Sequence, residues 1–188
     1  MKKSTTSFLV VLPLLFAGCI SLKIKSELPI IQSYDFNPTV LPNSCRAYKN
    51  IALIDIDSLG IYDSKKIIIH GDDGKISNLQ GKEWIDFPKN IFKDLFIQEA
   101  FKHCVSIDLP PFGTQLPGNI LKLTLLSLEI RDEPKPVAQI ALSYNVLKSG
   151  KKMNGFLIQT QEVKADEVKA LQEVTKKIID KLIGIFGE

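Results

Sequence analysis

The stretch from residue 119 to residue 161 constrains this chain most, because it reads as three strands on short turns with an amphipathic helix directly behind them. Residues 137–147 alternate cleanly, placing Ala138, Ile140, Leu142, Tyr144 and Val146 on one face, and residues 153–161 form their partner across a turn at 148–152. Such a meander buries one face and leaves the other to solvent, so its apolar face needs a cover. The strand that starts near Asn119 sets Leu121, Leu123 and Leu125 on one face, then Leu126, Leu128 and Ile130 on the other. That change of phase predicts a β-bulge at Leu125-Leu126. From about Asp166 an apolar stripe of Val168, Leu171, Val174, Ile178, Leu182 and Ile185 predicts a helix laid over the sheet. Lys169, Glu173, Lys176, Lys177 and Asp180 form its polar surround.

Upstream the signals are shorter. Residues 30–34 can pair as a brief strand; residues 51–56 form an isoleucine-rich run that suits a strand buried on both faces; residues 66–70 repeat the theme. Gly71-Asp72-Asp73-Gly74 reads as a tight turn, since glycine and aspartate tolerate the backbone angles such turns use. Between Trp84 and His103, apolar residues at Trp84, Phe87, Ile91 and Leu95, with Phe92, Phe96 and Ala100 beside them, have helical spacing, and Pro88 fits the first turn. Residues 105–109 read as a strand, and the prolines and glycines of 110–118 as a loop. The expected fold is α+β: a single mixed, mostly antiparallel sheet with two amphipathic helices packed on one face. A chain of 188 residues that is 45% hydrophobic and 24% charged suits one globular domain.

The first residues follow another logic. Lys2 and Lys3 precede an apolar run over residues 8–16, and Ala17-Gly18 supplies small residues before Cys19, which is the layout of an export signal. The run is broken by Pro13 and is short of the approximately 20 residues that a spanning helix needs. Leu15-Phe16-Ala17-Gly18-Cys19 resembles the bacterial lipobox, which implies diacylglycerol on the Cys19 thiol, cleavage before it and an N-acyl chain on the new terminus. Each buried methylene contributes about 0.8 kcal/mol, so two or three chains anchor firmly in a bilayer. The expected organisation is a signal peptide at 1–18, a lipidated N-terminus and tether at 19–49, and a periplasmic domain at 50–188. Ile20 and Ser21 after the cysteine, in place of aspartate, resemble the enteric sorting pattern that favours the outer membrane over the inner.

With Cys19 set apart, Cys45 and Cys104 remain as an even pair in an exported chain, which predicts a disulfide between them; two buried free thiols are the alternative. The formal net charge is only +3, part of it from Lys2 and Lys3, which argues against a nucleic-acid partner.

No residue is nominated as catalytic, and the expected role is non-enzymatic. The two histidines, His70 and His103, lack the context of a nucleophilic triad and read as polar residues at element ends. Cys104 beside His103, with Cys45 elsewhere, lacks the second close ligand pair of a metal site, so neither metal nor cofactor is expected. Asp55 and Asp57 share a strand face and Asp72 and Asp73 a turn; the first pair reads as solvent-facing, and the second lacks the rest of a calcium loop. Neither Gly71-Asp72-Asp73-Gly74 nor the 110–118 loop carries the Lys and Ser/Thr of a phosphate cradle. Phe87, Phe92, Phe96 and Phe101 could line a lipid path, but aromatic residues at helical spacing ordinarily form core.

The order of elements resembles that of the ABC-type transport auxiliary lipoproteins, which include PqiC-like proteins working beside MCE-domain lipid transporters. The resemblance is carried by Tyr34-Asp35-Phe36, by Asn50-Ile51-Ala52-Leu53-Ile54 as first core strand, by Lys82-Glu83-Trp84-Ile85-Asp86 and by the terminal helix. It implies a membrane-tethered periplasmic accessory to phospholipid movement between membranes, with an MCE-domain protein and an ABC permease and ATPase as partners. A homo-oligomer is compatible with that role. The alternative is a structural outer-membrane lipoprotein that assists envelope or lipopolysaccharide-export assembly.

Overall fold

The computed structural model describes residues 30–36, 45–114 and 118–187. Cys19 and the expected signal peptide lie outside them. The elements in chain order are β1 (Gln32–Tyr34), β2 (Lys49–Ser58), a 3-10 turn (Gly60–Tyr62), β3 (Lys66–Gly71), β4 (Ile76–Trp84), α1 (Pro88–Lys102), β5 (Val105–Asp108), β6 (Asn119–Asp132), β7 (Val137–Lys148), β8 (Lys151–Glu162) and α2 (Glu167–Gly187). Among the described residues, the strands form one 8-stranded sheet.

The sheet is organised by β6. One edge of β6 pairs antiparallel with β7 along its length, from Asn119↔Lys148 to Arg131↔Val137, and β7 pairs in turn with β8. The other edge is shared: Ile120 to Leu125 pair with β2, and Glu129 to Asp132 with β3, both parallel to β6. The sheet therefore forks, with β5 beyond β2 and β4 and β1 beyond β3. The 3-10 turn lies at the fork, where Leu59 N–H donates to Leu125 O at 3.1 Å.

This topology corrects the expectation of a mostly antiparallel sheet. β1–β4, β2–β5, β2–β6 and β3–β6 are parallel, whereas β3–β4, β6–β7 and β7–β8 are antiparallel. Parallel partners need long crossovers, so the partners of β2 and β3 lie far away in sequence and leave no local signature.

The bulge falls where the change of phase places it. Leu125 pairs with Leu142 and Ser127 with Ala141, leaving Leu126 without a partner in the β6–β7 register. The extra residue keeps Leu121, Leu123, Leu125, Leu128 and Ile130 buried on the helix side. A second irregularity, between Leu53 and Asp55, corrects the reading of 51–56 as buried on both faces. Ile51, Ala52, Leu53 and Ile56 are buried, while Ile54 is 46% exposed on the face opposite the two helices.

Both helices lie on one face and touch each other, α1 against β2 and β5, α2 against β6, β7 and β8. In α2, Val168, Leu171, Val174, Ile178 and Leu182 are buried as the stripe requires, with Ile179, Ile183 and Phe186 widening it. Asp166 begins that helix, its Oδ1 accepting from Val168 N–H at 2.9 Å. Helix α1 starts later than its periodicity suggests: Trp84 ends β4, and the helix opens at Pro88. Asp86 just before it accepts from Phe87 N–H at 2.7 Å and from Asn90 Nδ2 at 3.0 Å. Strand β4 escapes a reading by alternation because it is polar and irregular, with Gly81 at φ 69 and a register shift against β3.

Part of the expected tether is structural. Strand β1 adds to the edge of β4, and Phe36, 1% exposed, packs its ring 4.8 Å from that of Trp84. Among the described residues no helix is long and apolar enough to cross a membrane.

Candidate functional site

With both helices on one face, the other face of the sheet presents side chains outward. The register places Ile54 and Ile120 near Leu147 and Lys152 at one end, and Phe156 and Ile158 further along β8. Phe156 is 68% exposed and Ile158 49%. Phe156 and Ile158 are neighbours on β8, while Ser143 and Thr124 lie between Phe156 and β2, so the outward face is apolar in two places and polar between them.

Towards the other end of this face lies a buried polar cluster that the sequence reading did not single out. Glu129 of β6 is 2% exposed, sits between the inward Leu128 and Ile130, and points away from the helices. Its carboxylate accepts from Tyr62 OH at 2.5 Å and lies 3.3 Å from His70 Nδ1 and 3.4 Å from Arg131 Nη1. Arg131 also donates from Nε to Glu133 at 2.9 Å. Burial, and then the Glu129 carboxylate that takes its hydrogen bond, holds the Tyr62 phenol well above the usual tyrosine range. The carboxylate is thus satisfied by its neighbours, and the cluster pins the 3-10 turn to β6 where β2 and β3 part. A glutamate inside the apolar run Leu125 to Ile130 is the sequence signal for it, since a buried charge demands partners.

Asp55 and Asp57 are exposed as expected and border a recess of about 550 Å³ with Lys89, Asn90 and Lys93. Lys89 turns to Asp63, 2.8 Å away, and that hydrogen bond holds the Asp63 carboxyl below its usual range. His103 is exposed, with Nε2 3.7 Å from Asp180, and has no nucleophile in this contact. Asp73 serves its turn, accepting from Lys75 N–H at 3.0 Å. Phe92 and Phe96 are core, whereas Phe87 and Phe101 are partly exposed and Phe101 stacks on Tyr48 at 4.9 Å. Among the described residues, no group of three or more His, Cys, Asp or Glu side chains is placed to hold a metal ion.

Cys45 and Cys104 are joined, with Cα atoms 5.6 Å apart. The bridge links the residues just ahead of β2 and β5, and Lys49 N–H donates to Cys104 O at 3.0 Å as the first rung of that parallel pair. The lipidation assignment at Cys19 lies outside the described residues.

A recess of about 540 Å³ lies beside the disulfide, bounded by Tyr48, His103, Cys104, Asp180 and Ile183. Two more lie at the β7–β8 hairpin end. One recess of about 290 Å³ is bounded by Lys49, Ile51, Ile120, Val146, Lys148 and Phe186. A second, of about 320 Å³, shares Ile120 and Val146 and adds Ile54, Lys122, Leu147 and Lys152.

No family model and no curated protein matches the chain. Solved structures do. Protein XCC0632 from Xanthomonas campestris, of family DUF330, superposes with a TM-score of 0.67 at 15% identity, over 82% of this chain and 94% of its own. An uncharacterized protein reaches 0.68 at 9% identity, over 83% and 98%. The hypothetical protein CT253 from Chlamydia trachomatis gives 0.52 at 9% identity, over 75% and 96%. The chain shares its fold with the DUF330 protein, and at this identity the likeness establishes the fold alone.

Proposed function

We propose that this chain is a membrane-anchored envelope lipoprotein, facing the periplasm, that serves as a non-catalytic accessory of an ABC/MCE-type system moving phospholipid between membranes. The observation that carries the reading is the fold shared with a DUF330 protein over 82% of the chain, since PqiC-like auxiliary lipoproteins belong in that context. Two further features support it. Residues 15–19 resemble a lipobox behind a short apolar run, which would tether the domain to a bilayer. The sheet face opposite the helices exposes Ile54, Phe156 and Ile158, a surface suited to holding a partner protein. The buried Glu129 spends its hydrogen bonds inside the fold, as befits a rigid docking part.

The test is association. Full-length protein carrying a C-terminal tag, purified from its native membranes in mild detergent, is expected to bring an MCE-domain protein together with an ABC permease and ATPase. Intact, folded protein recovered without any of them overturns the reading.

A further inference from the structure

The β7–β8 hairpin ends in a two-residue turn, Ser149 at φ 49 and Gly150 at φ 79, and carries Lys148, Lys151 and Lys152. The left-handed angles of both turn residues are those of a tight hairpin that projects without a floppy loop. Register places Lys152 beside Leu147 and Ile120 on the open face, with Lys122 one row further in. Lys148 and Lys151 pair on the helix side, next to the Val146–Met153 pair. The hairpin end is therefore basic on both faces. Leu147 and Met153, 38% and 39% exposed, lie among these cations.

Within the fold this arrangement has no evident return. No ion pair among the described residues engages Lys122, Lys148, Lys151 or Lys152. Lys148 and Lys151 stand directly opposite each other, and like charges so placed destabilise a strand pair. The nearest carboxylates on the open face are Asp55, across from Lys122, and Asp108, beside Ala52; neither borders the two recesses at this end. Lysines on an edge strand can guard against edge-to-edge pairing, which would account for Lys151 and Lys152 on β8. Lys122 has Asp55 across from it, and neither that neighbour nor edge protection accounts for the exposed Leu147 and Met153.

We propose that this hairpin end docks on the headgroup layer of a bilayer containing anionic phospholipid. The lysines meet phosphate while their stems, with Leu147 and Met153, enter the interface, the division that amphipathic side chains make at a membrane surface. Each lysine near an anionic surface is worth about fivefold in local occupancy, and the attraction fades within a screening length. The inference reaches beyond the transport role, because it concerns which end of the domain faces lipid whatever partner the open face holds.

The experiment uses the full-length protein with an environment-sensitive fluorophore on a Ser149→Cys variant, reconstituted into vesicles of phosphatidylcholine alone or of phosphatidylcholine with phosphatidylglycerol. Both vesicle types carry the same reconstituted protein, so the comparison reads the hairpin and not the means of attachment. A blue shift is expected only with phosphatidylglycerol, and it should disappear near 1 M salt, where the screening length is about 3 Å. Adding Lys151→Glu and Lys152→Glu together should abolish the shift, and Lys151→Arg with Lys152→Arg should keep it. Identical spectra in the two vesicle types, or a shift that survives the charge reversal, overturns the proposal. A shift that arises only when membrane proteins are added also overturns it, by marking the hairpin as a protein contact.

Discussion

Glu129 shows how one residue can fix local architecture. A carboxylate 2% exposed in a β-strand persists only if its charge is met, and here Tyr62, His70 and Arg131 meet it from the 3-10 turn, β3 and β6 itself. Tyr62→Phe removes one donor and leaves the carboxylate buried, so it should lower stability at pH 7 by about 1–3 kcal/mol. The pH dependence has a definite sign. The phenol is held above its usual value, so the folded state keeps that proton more tightly than the unfolded chain. The resulting stability is complete below about pH 10 and is lost as pH rises from there towards the folded value. Urea unfolding of wild type and variant at pH 7, 9 and 11 should show a gap that is constant between the first two and narrows at the third. A gap that widens at pH 11 would contradict this assignment.

At the scale of elements, local patterns speak for strands and helices but not for their partners. Helix α2, the bulge in β6 and the β7–β8 hairpin were legible because each is written in contiguous periodicity: 3.6 residues for the helix, two for the strands, with a change of phase at the bulge. Strand β4 was not, since Gln80, Gly81, Lys82 and Glu83 carry no alternation, although the 71–74 turn ahead of it is plain, and its other neighbour β1 meets it only in space. A large apolar residue ahead of Pro88 extends the apparent helical stripe by one turn, so periodicity alone takes in Trp84, which ends β4. The disulfide acts at this scale too, clamping the first rung of β2–β5 across a sequence separation of 59 residues. Chain entropy values such a closure at about 4 kcal/mol. Replacing Cys45 and Cys104 together by alanine should lower the unfolding free energy by up to that amount, as read by urea denaturation at neutral pH. A loss below about 1 kcal/mol would show that the β2–β5 pairing is held by the sheet without the bridge.

For the whole molecule, the consequential asymmetry is that, among the described residues, two helices occupy one face and leave the other open. Apolar residues at Ile54, Phe156 and Ile158 are costly to leave in water unless something meets them, and lysines gather at one end of the same sheet. Of this candidate surface the sequence disclosed the strands but not their shared outer face, because which residues become neighbours depends on the parallel pairings of β2 and β3 with β6. The tether behaved similarly: prolines made residues 19–49 look like a linker, yet Phe36 finds Trp84 only once β1 has joined β4. Under the proposed function both the open face and the basic hairpin belong to a domain held beside a membrane, an attachment that would rest on Cys19. Mass spectrometry of the chain isolated from its native membranes tests it directly. The account predicts a mature form that begins at Cys19 and carries diacylglycerol on sulfur with a further acyl chain on nitrogen; an unmodified leader, or a mature form that begins elsewhere, would contradict it.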